Sequence, residues 1–186
     1  MKKLLYLAFY KPYGILSQFT SDNPNETLAN FNLPKDVYAC GRLDKDSEGL
    51  LLLTNDGALI ERMLNPKNEK EKTYWVQVEK VPADFDLEKL RGGVLIGDYQ
   101  TKPCGVKILD PQPIVPARIP PIRERKTIPT CWIEIILTEG KNRQVRKMTA
   151  AIGFPTLRLI RKKIGKFTLE GLIEGEFKEI RREDIL

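Results

Sequence analysis

The sequence predicts an α+β fold, because many short apolar runs bounded by turn residues alternate with very few segments of helical periodicity. It carries no internal repeat and no glycine-rich phosphate loop, which argues against a doubly wound nucleotide-binding fold. In chain order the strand candidates are Leu4–Tyr10, Val37–Cys40, Leu50–Thr54, Tyr74–Val81, Val94–Ile96, Val106–Leu109, Cys131–Leu137, Leu157–Ile160 and Phe167–Leu169. Leu50 to Leu53 are consecutive apolar residues, the mark of a strand buried on both faces.

Helices are predicted over Ala83–Arg91, which ends at Gly92 and Gly93, and over Asn142–Ile152, which ends at Gly153. In the second, Val145, Met148 and Ile152 form an apolar stripe. A shorter helix is predicted over Leu59–Leu64. Between Asp110 and Thr130, Pro111, Pro113, Pro116, Pro120, Pro121 and Pro129 exclude both helix and central strand, so this segment is expected to be an extended surface arm that presents arginines.

The chain has 186 residues, 41% apolar and 30% charged, enough for one sizeable core or two small ones. Histidine is absent, which removes Ser-His-Asp and Cys-His nucleophile systems, imidazole metal ligands and imidazole proton shuttles. A general base must be a carboxylate, a lysine, a tyrosine or a thiol. Cys40, Cys104 and Cys131 are too scattered for a redox or zinc pattern and read as reduced and intracellular. The amino terminus reads as a first strand, not a secretion signal, and no stretch approaches the roughly 18 apolar residues of a membrane helix. Cytoplasmic localisation is the expectation, as is a monomer.

Lys plus Arg number 31 against 25 Asp plus Glu, a net charge of +6. The excess is concentrated. Lys141 to Lys166 carries Lys141, Arg143, Arg146, Lys147, Arg158, Arg161, Lys162, Lys163 and Lys166 without an acid, and a second cluster holds Arg118, Arg123, Arg125 and Lys126. Such clusters predict a polyanionic partner, nucleic acid before any other.

Three segments carry candidate chemistry. In Gly41–Gly57, GRLDKDSEGLLLLTNDG, a polar turn with Asp44, Asp46 and Glu48 precedes the buried strand. Arg42 and Asp44 are two apart, so in extended backbone they project to one side, and an arginine beside the carboxylate would keep it ionised. At Lys72–Val76, Lys72 and Tyr74 share a face, a charge for phosphate and a ring for stacking on a base. In LTEGKNRQVRKM, Arg143, Arg146 and Lys147 share the polar side of the predicted helix.

Together with KPYG (Lys11 to Gly14), KTYWV, EGKNRQVRKM (Glu139 to Met148) and LIRKKIG (Leu159 to Gly165), this motif resembles the RsuA family of ribosomal RNA pseudouridine synthases over nearly the whole chain. Ser47 stands where that family more often has threonine. With KPYG beginning at Lys11 there is no room for the separate RNA-binding domain of many members, so the expectation is the short subgroup that modifies 23S ribosomal RNA.

The resemblance implies a mixed, mostly antiparallel sheet made of two related α+β halves with a cleft across the middle: one catalytic domain over residues 1–186, with approximate subdomains 1–65 plus 155–186, and 70–154. It implies the isomerisation of uridine to pseudouridine with no cofactor and no metal. Asp44 is then the essential aspartate, either a nucleophile or a general base for the ribose 2′ proton. Arg146 pairs with it, and Tyr74 stacks on the uracil and assists proton removal from carbon 5. Arg42, Lys72, Arg143, Gln144 and Lys147 are expected at the RNA. A non-catalytic RNA-binding or ribosome-assembly protein, or a synthase for another RNA, are the competing readings; the first makes Asp44 dispensable.

Overall fold

The computed structural model describes residues 3–122 and 127–185, so Arg123, Arg125 and Lys126 of the second basic cluster lie outside the described residues. The chain forms two compact units, Met1–Lys70 with Arg161–Leu186, and Glu71–Ile160. Each is α+β, as expected. The chain passes from the second unit back to the first inside one strand, between Ile160 and Arg161, where the approximate division anticipated from the sequence fell at residues 154 and 155.

In the first unit, β1 (Tyr6–Lys11) pairs antiparallel with β3 (Glu48–Thr54), from Tyr6 opposite Thr54 to Lys11 opposite Gly49. The short β2 (Tyr38–Ala39) pairs with the end of β3, and β1 also pairs with β11 (Phe177–Glu179). All of β3 is buried, as its run of leucines predicts. Burial of each leucine side chain is worth about 1.5–3 kcal/mol, so the strand and the residues at its two ends are held firmly. Leu51 and Leu53 pack with Leu7, Phe9, Leu28 and Val37, and Phe31 meets Phe9 edge to face at 4.9 Å.

The turn after β3 starts α1 (Gly57–Leu64): Asp56 Oδ1 accepts from Leu59 N at 3.1 Å, an N-cap worth about 1 kcal/mol. Asn55 Oδ1 accepts from Leu5 N at 2.8 Å. Asn55-Asp56-Gly57 is therefore structural, a cap and a tie to β1. Strand β9 (Thr156–Ile164) pairs through Ile164 and Lys163 with β10 (Phe167–Thr168), and the chain closes with α4 (Arg182–Ile185).

In the second unit, β4 (Lys72–Glu79) pairs antiparallel with β8 (Thr130–Leu137) over its full length, and β8 pairs with β7 (Gly105–Ile108). Tyr74, Val76 and Val78 of β4 are buried while the alternate residues are only half-buried, the period of two that a half-covered sheet demands. α2 (Asp84–Arg91) buries Leu87 and Leu90. The hairpin β5 (Leu95–Ile96) to β6 (Tyr99–Gln100) packs by β5 against α3 (Gln144–Ala151), which buries Val145 and Met148 as predicted.

The structure overturns one expectation about charge. Arg158 and Arg161 do not add to a basic surface: both are buried, because the backbone takes up their guanidinium groups. Arg161 Nε donates to Leu50 O at 2.8 Å, and Arg158 Nη1 donates to Pro116 O at 2.6 Å. The described part of the proline-rich arm, residues 111–122, has no helix or strand, as expected, but Arg158 ties it back to its own unit. Arg118, half-buried, bonds locally within the arm, its Nε donating to Pro120 O at 2.9 Å.

Candidate active site

Asp44 sits half-buried in the loop between β2 and β3, and that loop is clamped from the KPYG side. Leu43, its neighbour, is buried. Ser17 Oγ donates to Leu43 O at 2.8 Å and accepts from Leu43 N at 3.0 Å, which satisfies both backbone groups of a residue that water does not reach. Gly14 N donates to Lys45 O at 2.8 Å, and Ser47 N donates to Asp44 O at 3.0 Å, closing the turn. The backbone of residues 43–47 is thus held on both sides of Asp44, by the buried Ser17 hydroxyl at Leu43 and by main-chain hydrogen bonds at Lys45 and Ser47.

Beneath the loop lies a buried charged layer. Lys11 is 0% exposed, and its Nζ donates to Pro12 O at 2.8 Å and to Ile15 O at 2.6 Å. Burial pushes this lysine down to about 7; Glu48, Asp46 and Asp44 oppose the shift and Arg161 adds to it. Glu48 is buried at the start of β3. Gly49 has φ of +108°, and a Cβ there would come 2.4 Å from Arg161 O, so only glycine fits. The Ser47 hydroxyl is buried and makes no hydrogen bond among the described residues.

Arg42 departs from the expected arrangement. It is exposed, and its Nη2 donates to Gln18 Oε1 at 3.4 Å instead of to Asp44. Residues two apart share a side only in regular extended backbone, and residues 42–44 belong to no strand.

The other expected site residues belong to the second unit. Lys72 and Tyr74 share a face at the start of β4, opposite Leu137 and Ile135 of β8; Lys72 is half-buried and Tyr74 is 8% exposed. On α3 and its leading turn, Arg143 and Lys147 are exposed and Arg146 is half-buried. Gln144 differs from expectation. It is 3% exposed, its Nε2 donates to Glu139 Oε1 at 2.5 Å and its Oε1 accepts from Lys141 N at 2.8 Å, so its amide is engaged inside the protein and not presented to RNA.

Glu139 was visible in the sequence only as the edge of a motif. Besides Gln144, it accepts from Tyr99 Oη at 2.5 Å and from Lys102 N at 3.0 Å. Burial alone would raise its carboxyl, but the hydrogen bonds from Tyr99, Lys102 and Gln144 win, and it is held below the usual glutamate range.

Of the four kinds of base left open by the absence of histidine, the thiols drop out. Burial pushes Cys40 up to about 12 and Cys104 up to about 11, and raises Cys131 as well, so none is a thiolate at neutral pH. Among the described residues, no three cysteine or carboxylate side chains gather to hold a metal ion. No helix among them is long and apolar enough to cross a membrane. A cavity of about 430 Å³ lies under the proline-rich arm, lined by Gln77, Trp132, Arg118 and Arg158 among others. Gln77 is on the opposite face of β4 from Tyr74.

Comparison with known proteins agrees with the motif resemblance. The family described as RNA pseudouridylate synthase matches residues 5–151. The chain is 57% identical over 164 residues to the ribosomal large subunit pseudouridine synthase E of Xanthomonas axonopodis pv. citri (strain 306), spanning 87% of this chain and 86% of that protein. It is 34% identical over 183 residues to the ribosomal large subunit pseudouridine synthase B of Bacillus subtilis (strain 168), spanning 97% of this chain and 70% of that protein. A crystal structure of a pseudouridylate synthase superposes with a TM-score of 0.79 at 29% identity, over 100% of this chain and 74% of that one. With its aspartate loop clamped against the KPYG turn, its KTYWV strand and its RQVR helix, the chain belongs to the RNA pseudouridylate synthase family.

Proposed function

We propose that this enzyme converts one uridine of 23S ribosomal RNA to pseudouridine, with Asp44 as its essential carboxylate. The reaction breaks the bond between N1 of uracil and C1′ of ribose, turns the base and joins C5 to C1′. The C5 proton leaves and N1 gains one, so atoms and charge balance without oxidant or transferred group. Asp44 acts either as nucleophile or as the base for the 2′ proton, and both roles start from an ionised carboxylate. The observation that carries this reading is the rigid hold on residues 43–47, which a binding surface does not require and a reacting group does.

Tyr74 is assigned to stack on the uracil and assist removal of the C5 proton, and Arg146 supplies positive charge for the reaction. Arg42, Lys72, Arg143 and Lys147 take phosphates of an RNA whose target base has left its stack. The enzyme works as a monomer in the cytoplasm. The large-subunit target is supported by the names of its relatives, synthases E and B of the ribosomal large subunit. Pseudouridine mapping in a strain lacking the protein tests it: one pseudouridine should vanish from 23S RNA, whereas a loss confined to small-subunit or transfer RNA moves the target, and no loss anywhere contradicts the proposal.

A further inference from the structure

Arg143 has φ of +52° and ψ of +32°, in the left-handed region where a non-glycine residue costs on the order of 1 kcal/mol or more. It precedes α3 directly, and its side chain makes no capping hydrogen bond to the helix. Such a conformation persists only where the surroundings over-determine it. Here they do. Gln144 N donates to Lys141 O at 3.1 Å and Lys147 N donates to Arg143 O at 3.0 Å, so main-chain bonds close the turn on both sides of Arg143. The Gln144 amide ties to Lys141 N on one side and to Glu139 on the other. Glu139 in turn grips the β5–β6 hairpin through Tyr99 Oη and the segment after it through Lys102 N. Lys141 Nζ lies 4.5 Å from the centre of the Tyr99 ring, a cation–π contact that covers the same junction.

From this network we infer that Glu139 is a positioning residue: a buckle that joins Tyr99, Lys102 and Gln144 and so fixes the strained turn at Arg143 and the first turn of α3, which carries Arg146. The inference rests on the role proposed above for Arg146. Lys102 N and Gln144 Nε2 donate to Oε1 and Tyr99 Oη to Oε2; a glutamine in its place keeps a single uncharged acceptor oxygen and turns an N–H toward the Tyr99 hydroxyl, so three charge-assisted bonds give way to weaker neutral ones and Tyr99 must reverse from donor to acceptor. The turn then relaxes toward an ordinary helical or extended backbone, and Arg143 and Arg146 shift with it. A displacement of about 1 Å in a positioned group can cost up to 10²-fold in rate.

The test is steady-state kinetics on 23S RNA with Glu139→Gln, Tyr99→Phe, Gln144→Leu, the last two combined, and Arg91→Gln, a surface ion-pair change elsewhere in the same unit, as the stability control. Glu139→Gln should lower kcat about 10-fold and raise KM for RNA by a smaller factor, since Arg143 is one phosphate contact among several. Tyr99→Phe should lower kcat about threefold, and the Tyr99→Phe, Gln144→Leu double variant should lose less than the product of the two single losses, because both act through one carboxylate. Amide exchange over residues 141–147 should accelerate in Glu139→Gln and not in Arg91→Gln. If Glu139→Gln does not fold, Tyr99→Phe and the double variant decide the matter. Unchanged kcat in folded variants, or multiplicative losses matched by Arg91→Gln at equal thermal stability, overturns the inference. Asp44→Asn assayed in parallel separates the readings: an active Asp44→Asn defeats the proposed function, whereas an inactive Asp44→Asn beside a fully active Glu139→Gln defeats the buckle alone.

Discussion

The loop that carries Asp44 and the turn that leads to Arg146 are held in place by different means. Around Asp44 the grip is on the main chain and comes from below: Ser17 holds both backbone groups of Leu43, Gly14 holds Lys45, and a fully buried lysine and glutamate lie beneath. Ahead of Arg146 the turn closes on its own main-chain bonds, and what ties it to the rest of the unit is one half-buried carboxylate, Glu139, collecting donors from two neighbouring segments. Loss of a buried main-chain bond strands a polar group out of water and threatens folding. Loss of a half-buried side-chain bond lets water substitute and leaves a folded protein with a looser site. The first region is therefore expected to fail through stability, and the second by degrees through rate.

Breaking that contrast should be easiest at Gly49. Gly49→Ala drives a Cβ into Arg161 O and forces an unfavourable φ, so a loss of roughly 3–5 kcal/mol, the severe end of single substitutions, is expected in urea denaturation. Soluble Gly49→Ala with near-normal stability would show that the layer beneath Asp44 yields easily. Next in size is Ser17→Ala. It leaves Leu43 N and O without their partner, so about 2 kcal/mol should be lost, with activity falling in step with the folded fraction. A stable but inactive Ser17→Ala would instead place Ser17 with the rate-limited group.

Lys11 sharpens the comparison through pH. Its folded pKa of about 7 lies below the unfolded value, near 10.5, so between those values the unfolded chain binds a proton that the folded chain lacks. Stability contributed at this position is lowest below pH 7, where the buried ammonium is charged, and rises with pH through the window by about 1 kcal/mol per unit. The neutral amine keeps two N–H groups for Pro12 O and Ile15 O. Relative to Lys11→Met, the wild type should gain stability from pH 7.5 to 9, measured by denaturation at each pH. A constant difference would mean that Lys11 stays charged. The smallest effect belongs to Tyr99→Phe, which should cost under about 1 kcal/mol of stability while still slowing the reaction.

Sequence reading located the site loop because its signals are local: the run Leu50–Leu53 announces a doubly buried strand, and the glycines at positions 41 and 49 frame the aspartate. The strand candidates and the three helices were legible for the same reason. What escaped depends on tertiary partners. β6 and β11 are short and carry little apolar periodicity, and they exist as strands because β5 and β1 offer them an edge. Arg158 and Arg161 looked like surface cations because their type alone says exposed, whereas distant carbonyls at Pro116 and Leu50 bury them. Strand parity puts Arg42 beside Asp44, but residues 42–44 lie in a loop and Arg42 bonds Gln18. The family resemblance puts Gln144 at the RNA, and only the folded chain reveals Glu139 as its partner.

The role proposed for Asp44 is that of a rigidly mounted carboxylate that carries out the isomerisation. Its most direct test is a pseudouridine map of 23S RNA incubated with wild-type protein and with Asp44→Asn. The wild type should introduce one new pseudouridine and Asp44→Asn none, although it folds and binds the RNA as tightly. Normal pseudouridine formation by Asp44→Asn would contradict the account.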